Sequence, residues 1–363
     1  MKKHYLLFAS LTYAYPILRP LQKEIRRRGD IAAWFLEDSC PDQLEEDELR
    51  LKTFKEVKEF NPVAVFAPGD WVYDFFPGIK VRVCHGYPIY KRGGNVETHF
   101  RLRGWFDIHC TQGDSSTIPF KELEHKHPHF KAYETGWSKV DSIVEAINNK
   151  QHTADAPQAT DNNKTPTIFV ATTFTKRISS LSTLYPTIKR LVETKDWNWV
   201  ITKHPKLQDE ELISKYIELA NSHDNVKFYP TTPGADVMID TDVMLCDASS
   251  IILEYMMLDK PVVTFRNTTP GDHLINVEKE EDVEEAIEKA LTRPQKLMES
   301  IEKYIGHHER HRDGKNCARI LDAVDDFILN HKGKIKRKPL NLFRKLKLRW
   351  RLRKTYFPFL FAK

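Results

Sequence analysis

Val243-Met244-Leu245-Cys246-Asp247-Ala248-Ser249-Ser250 reads as a short apolar strand that runs into a polar corner. Ile251-Ile252-Leu253-Glu254-Tyr255-Met256-Met257-Leu258 then continues it as a helix. A brief apolar run bounded by turn-forming residues has the composition of a strand buried on both faces. Two other segments repeat the pattern. Val81-Arg82-Val83-Cys84 ends at His85-Gly86, and Trp199-Val200-Ile201-Thr202-Lys203 ends at His204-Pro205. In open α/β sheets ligands gather outside the carboxyl ends of strands. Two histidines and an Asp-x-Ser-Ser corner at such ends point to a site that handles phosphate.

Outward from these corners, strand and helix signals alternate. Strands are expected over Tyr5–Leu11, Ile31–Leu36, Ala64–Ala67, Val81–Cys84 and Asp107–Thr111. Helices are expected over Pro16–Arg28, Leu44–Phe60, Ser115–His125 and Ser138–Asn149. Residues 151–165 hold no bulky apolar side chain, a linker composition. The alternation then restarts. Strands are expected at Thr167–Ala171, Trp199–Thr202, Val226–Tyr229, Val243–Cys246 and Pro261–Phe265. Between and after them come helices at Ser182–Glu193, Asp209–Asn221, Ser250–Leu258, Glu281–Leu291 and Asn316–Leu329. This predicts an α/β protein with parallel sheets. Two Rossmann-like domains, 1–150 and 166–330, face a cleft across the 151–165 linker, and a basic tail follows over 331–363. That is the glycosyltransferase-B (GT-B) arrangement. Neither G-x-G-x-x-G nor G-x-x-x-x-G-K-[ST] occurs, which argues against dinucleotide enzymes and P-loop NTPases.

The 363 residues suit two domains, and 40% hydrophobic content is enough for real cores. Five cysteines show no metal-type spacing; buried reduced thiols, and hence the cytosol, are expected. Met1-Lys2-Lys3 followed by Tyr5–Leu11 imitates a secretory signal, but the apolar run is short and no small-residue cleavage site follows, so it is read as a first core strand. The net charge of +5 is unevenly placed. Residues 331–363 carry 13 of the 56 Lys and Arg and no acid, which leaves the body net acidic.

Each corner has a plain structural reading beside the chemical one. His85 could cap a strand end, or take a proton from an acceptor hydroxyl near neutral pH. His204 could be a strand-end residue, or donate to a diphosphate oxygen. Asp247, Ser249 and Ser250 could simply cap a helix, or present N–H groups and hydroxyls to phosphate. Lys91-Arg92-Gly93-Gly94 could be a glycine turn, or hold an anionic acceptor. Glu124-His125-Lys126-His127-Pro128-His129 fits no familiar metal spacing and is read as a surface loop. His307, His308 and His311 lie in a charged stretch that is expected to be solvated.

His85-Gly86 with Pro88 and Lys91 resembles the H-G-x-P-x-K segment of the CDP-glycerol glycerophosphotransferases, the teichoic-acid polymerase and primase group. Gly136-Trp137-Ser138-Lys139-Val140-Asp141 is similar to that family's G-Y-P-R-x-D, Thr172-Thr173-Phe174 to P-T-[FW]-R, and Thr202-Lys203-His204-Pro205 to K-L-H-P. Cys246-Asp247-Ala248-Ser249-Ser250, with Glu254-Tyr255 and Asp259-Lys260-Pro261, resembles its D-Y-S-S segment, with Ala248 in place of the tyrosine. Phe265-Arg266-Asn267-Thr268-Thr269-Pro270-Gly271 is instead similar to the UDP-N-acetylglucosamine 2-epimerases.

The resemblance implies a transferase that moves glycerol phosphate from CDP-glycerol, or a similar CDP-polyol, to a glycan or lipid-linked acceptor. His85 and His204 would be catalytic. Gly86, Lys91, Thr172, Thr173, Asp247, Ser249 and Ser250 would bind substrate, Asp247 by fixing the corner. No metal or cofactor is expected. A different GT-B glycosyltransferase or an epimerase is the alternative.

In the tail, leucines and aromatics from Leu340 to Phe361 interleave with Arg and Lys. This suits a segment lying on an anionic membrane at the inner face of the cell membrane. Packing onto the body and nucleic-acid binding are the rivals, and the acidic body argues against nucleic acid.

Overall fold

The computed structural model describes residues 2–88, 99–153, 165–173, 179–204, 206–231 and 234–353. Lys91, Phe174, Pro205, most of the expected linker and the last ten residues lie outside them. The first half contains β1 (His4–Ala9), α1 (Tyr15–Arg27), β2 (Ile31–Leu36), α2 (Phe54–Phe60), β3 (Ala64–Ala67) and β4 (Ile79–Arg82). It continues with β5 (Ile108–Thr111), α3 (Asp114–Lys126), β6 (Lys131–Glu134) and α4 (Ser138–Thr153). Its strands form one parallel sheet in the order β2-β1-β3-β4-β5-β6. The signal-like N-terminal run is therefore an interior strand, paired on both sides.

The second half repeats the design. It contains β7 (Thr167–Ala171), α5 (Leu181–Thr194), β8 (Asn198–Thr202), α6 (Glu210–Ser222), β9 (Val226–Tyr229), α7 (Ala235–Ile239) and β10 (Val243–Cys246). Then come α8 (Ile251–Met256), β11 (Val262–Phe265), β12 (Ile275–Val277), α9 (Val283–Leu291), α10 (Gln295–His308) and α11 (Asn316–Asp326). The sheet order is β12-β11-β10-β7-β8-β9, again parallel. Chain direction across the sheet reverses between β1 and β3 in the first half and between β7 and β10 in the second. Such switch points open a crevice at the carboxyl edge. The two Rossmann-like halves make the GT-B architecture.

Alternation along the strands explains the layers. Tyr5, Leu7 and Ala9 of β1 face a core shared with Met244 and Cys246 of the second half, whereas Leu6 and Phe8 face an outer layer with Phe35, Tyr73 and Phe76. α11 crosses back onto α1 and α4. There Lys3 pairs with Asp325 at 2.7 Å and Arg28 with Asp322 at 2.8 Å. Asp141 of α4 accepts the backbone N–H groups of Asn316 (2.9 Å) and Cys317 (2.7 Å).

Three expectations change. The helix expected over Leu44–Phe60 is only α2, opened by Thr53, whose Oγ1 accepts from the Glu56 N–H at 3.1 Å. Upstream, the chain runs extended beside β2: the Trp34 N–H donates to Leu49 O and the Leu51 N–H to Trp34 O, both at 2.8 Å. An edge strand offers these backbone groups partners that a polar helix could not bury. The stretch expected to be solvated around His307 is the end of α10, whose Leu297, Ile301 and Ile305 make a buried stripe. His308 and Glu309 are buried. Short β6, β12 and α7 had no legible signal.

The tail is not a free arm over its described part. It forms α12 (Leu342–Arg351) on the outer layer of the first half. Leu348 and Leu352 are buried there, Arg349 pairs with Asp74 at 2.5 Å, Arg351 with Glu37 at 3.2 Å, and Lys338 with Asp107 at 2.8 Å. The opposite face leaves Phe343 87% and Trp350 70% exposed, with Leu346 between them.

Candidate active site

His85 lies three residues beyond the end of β4. Its Nδ1 sits 2.9 Å from Pro68 O, in the loop after β3. A carbonyl oxygen only accepts, so Nδ1 carries a ring proton, and in the neutral ring Nε2 holds the lone pair. Tyr13, just after β1, packs on the ring at 5.4 Å between centroids. His85 therefore leans into the β1/β3 switch crevice, and it is exposed. A Cβ built at Gly86 would meet nothing within 4 Å, so this glycine borders open space. Its carbonyl accepts from Gln112 Nε2 at 3.2 Å. Nearby, Asp70 accepts from Arg82 (2.8 Å) and Arg103 (3.1 Å). Burial pushes the Asp70 carboxyl up, but Arg82, Arg103 and His85 outweigh it and hold it below its ordinary range.

The second half builds its corner around Asp247, which is 0% exposed. Its carboxylate accepts from the backbone N–H groups of Thr173 (2.9 Å), Ser180 (3.1 Å) and Ala248 (2.7 Å). Its own carbonyl accepts from Asn267 Nδ2 at 2.6 Å. Burial raises this carboxyl to about 6 despite those N–H bonds. Asp247 thus fastens the ends of β7 and β10 and the loop after β11 at the switch crevice. Thr172 and Thr173 are buried beside it, and Thr172 Oγ1 has no hydrogen-bond partner among the described residues. Ser249 and Ser250 are half-buried, and Ser250, at the N-cap of α8, makes no side-chain cap bond. α8 has six residues, not the nine expected over Ser250–Leu258, so its dipole is small and hydroxyls and loop N–H groups carry more of any anion contact.

His204 lies two residues beyond the end of β8, beside β7. Its Nδ1 accepts the Lys206 N–H at 3.1 Å. An N–H only donates, so here Nδ1 holds the lone pair and Nε2 of the neutral ring carries the proton. The two histidines are held in opposite tautomers.

The halves touch behind these corners. Tyr87, two residues after His85, places its hydroxyl 3.8 Å from Met257 Sδ, at the end of α8. Lys139 of α4 pairs with Glu254 of α8 at 2.5 Å. The structure therefore sets the His85–Gly86 loop against the helix that leaves the serine corner. It gathers Thr172, Thr173, Asp247, Ser249 and Ser250 at one crevice, with His204 on the neighbouring strand end. Sequence reasoning missed Ser180, and assigned no role to Asn267, Tyr87 or Glu309. Asn267 lies in the epimerase-like stretch, but nothing local marks Glu309. Among the described residues, no group of three or more His, Cys, Asp or Glu is placed to hold a metal ion.

Solved structures of similar shape include proteins of two activities. A UDP-N-acetylglucosamine 2-epimerase from Listeria monocytogenes shares 15% identity, with 91% of this chain and 97% of that one covered, at a TM-score of 0.60. The wall teichoic acid polymerase TagF shares 13% identity, over 90% and 89% of the two chains, also at 0.60. A TagF variant soaked with CDPG shares 14%, over 91% and 89%, at 0.58. These likenesses support the fold and do not choose between the activities. No curated protein matches the chain. The discriminating finding is a family model that matches residues 115–326, a span holding His204, Asp247 and both serines and starting after His85. On that match the chain belongs to the CDP-glycerol:poly(glycerophosphate) glycerophosphotransferase family.

Proposed function

We propose that this enzyme transfers glycerol phosphate, or a related polyol phosphate, from a CDP-activated donor to a hydroxyl of a cell-surface glycan or lipid-linked acceptor, with CMP leaving. Family membership supports the transferase class and the CDP-glycerol type of donor. The observation that carries the finer reading is the pair of opposed tautomers. His85 Nε2, with its lone pair, takes the acceptor hydroxyl proton as the oxygen attacks the distal phosphorus. The bond from that phosphorus to the CMP oxygen breaks. His204 Nε2–H and the Ser249 and Ser250 hydroxyls stabilise charge on the diphosphate. Phosphoryl-type transfer needs positioning and charge neutralisation more than covalent chemistry. Thr172 and Thr173 line the same crevice, Gly86 leaves room for the acceptor, and Lys91 is assigned to an anionic acceptor. No cofactor belongs to this reading.

A thermal-shift screen tests the donor, since a ligand that binds the folded state raises the melting temperature. CDP-glycerol or CDP-ribitol should stabilise the protein more than UDP-N-acetylglucosamine does, and turnover should release CMP. Stabilisation by UDP-sugars alone, with no CMP formed, would favour an epimerase.

The partner surface in this reading is an anionic bilayer at the cytoplasmic face. No described helix is long and apolar enough to cross a membrane. α12 supports surface contact. Its outward Phe343, Leu346 and Trp350 are flanked by Arg344, Lys345 and Lys347, the pattern of an interfacial helix. Its last turn, where Arg351 meets Glu37 just after β2, lies at the carboxyl edge that also carries His85. Flotation with phosphatidylglycerol vesicles should fall when Phe343, Leu346 and Trp350 become serine. Unchanged flotation would reject this surface.

A further inference from the structure

Glu309 is fully buried, no cation among the described residues forms an ion pair with its carboxylate, and nothing above gives it a role. Three separate segments converge on it. The Tyr87 hydroxyl donates to Oε2 at 2.8 Å. The Trp137 N–H, at the turn that opens α4, donates at 3.2 Å. Asn316 Nδ2, at the start of α11, donates to Oε1 at 3.3 Å and also to Trp137 O at 3.0 Å. The same Tyr87 hydroxyl lies 3.8 Å from Met257 Sδ of the second half. The fit is close: Gly136 holds a positive φ of 77°, and a Cβ there would come within 2.4 Å of the Asn316 side chain. A buried carboxyl without a paired cation is costly to keep, and what these three segments gain from it is hydrogen bonding that an apolar residue would not provide.

We propose that Glu309 is a positioning residue for the proposed catalytic histidine: through Tyr87 it ties the His85 loop to the segment by which the chain returns from the second half to the first. α10 and α11 are that return path, so a change in the angle between the halves acts at Glu309. Tyr87 is two residues from His85, and it passes the change to the imidazole. The relative setting of the halves and the aim of His85 Nε2 are then one variable. This rests on His85 being the base.

The test is Tyr87→Phe, which removes one hydroxyl and keeps the ring packing against Trp137 at 5.3 Å. Glu309→Gln and His85→Ala are studied beside it, with melting temperature, donor KM and the pH profile of kcat measured well below melting. Tyr87→Phe should lower kcat roughly tenfold or more, the scale of a small misplacement of a reacting group. Donor KM should stay within about twofold, and the acid limb of the profile should move. Glu309→Gln, which can still accept from Tyr87, should lose less. Wild-type kcat and an unmoved acid limb in Tyr87→Phe, with only a lower melting temperature, overturn the proposal. If His85→Ala keeps its turnover while Tyr87→Phe loses it, the base assignment falls and the positioning of the loop stands.

Discussion

Both halves are doubly wound parallel sheets, but their strand orders differ, β2-β1-β3-β4-β5-β6 against β12-β11-β10-β7-β8-β9, and so do the ring-proton positions of their histidines. At the first carboxyl edge, Pro68 O fixes the proton on His85 Nδ1. At the second, the Lys206 N–H fixes the lone pair on His204 Nδ1. In the neutral rings this leaves the lone pair on His85 Nε2 and the proton on His204 Nε2. The second corner is also more tightly built. Asp247 spends its whole carboxylate on loop N–H groups, whereas the His85 loop borders open space at Gly86. A rigid corner facing a roomier loop suits the proposed reaction, in which the donor is constant and the acceptor bulky.

The largest expected effect breaks the contrast at the base. His85→Ala should cut turnover about 10³-fold, within the range for losing a general base, while donor affinity measured by calorimetry persists. A variant with near wild-type turnover removes the mechanism. His204→Ala should cost about 10²-fold in kcat, the scale of one lost charge-stabilising donor. Unlike the first variant, it should also weaken donor binding. Equal effects of the two variants on binding would erase the difference between the rings.

Next comes the rigid corner. Asp247→Ala leaves buried N–H groups at Thr173 and Ser180 without an acceptor, a cost of roughly 1–3 kcal/mol for each such group, read by urea unfolding. A related test uses pH. Burial raises Asp247 to about 6, Glu309 to about 8 and Glu37 to about 7, in the last case against Arg351. A carboxyl that titrates higher when folded holds its proton more tightly in that state. Its stabilisation is complete below the unfolded value and is lost as pH rises through the folded one. Stability should therefore decline between about pH 4.5 and 8, and Glu309→Gln should flatten the upper part of that decline. The smallest effect belongs to Lys139→Ala. It breaks the partly exposed pair with Glu254 and should cost about 0.5 kcal/mol; a much larger loss would mean that the halves depend on this contact more than on their shared core.

What the sequence made legible follows the same contrast. Strands buried on both faces, such as Ala64–Ala67 and Val243–Cys246, carry an apolar run that no other element explains, and their bounds were readable. The Asp-x-Ser-Ser corner and His204 stood out because polar residues ended such runs. Residues 44–53 did not, because what holds them is the edge of β2, a partner distant in sequence. α10 was hidden by its charged outer face, although Leu297, Ile301 and Ile305 were in view. The proton positions on His85 and His204 were beyond sequence reading, since Pro68 comes from another strand end and the Lys206 N–H bond depends on the local turn. Glu309 was beyond it for the same reason: its partners come from residues 87, 137 and 316.

The clasp of α11 over α1 and α4 has a consequence for synthesis. The strip that receives Cys317, Ile320 and Leu321 is made early, whereas its cover, α11, is made only after every strand of the second sheet. The nascent first half must wait with that apolar seam open while the second half is translated. A ribosome-stalled fragment ending near residue 165 should bind a hydrophobic dye that the finished chain excludes, and a separately supplied α11 peptide should suppress it.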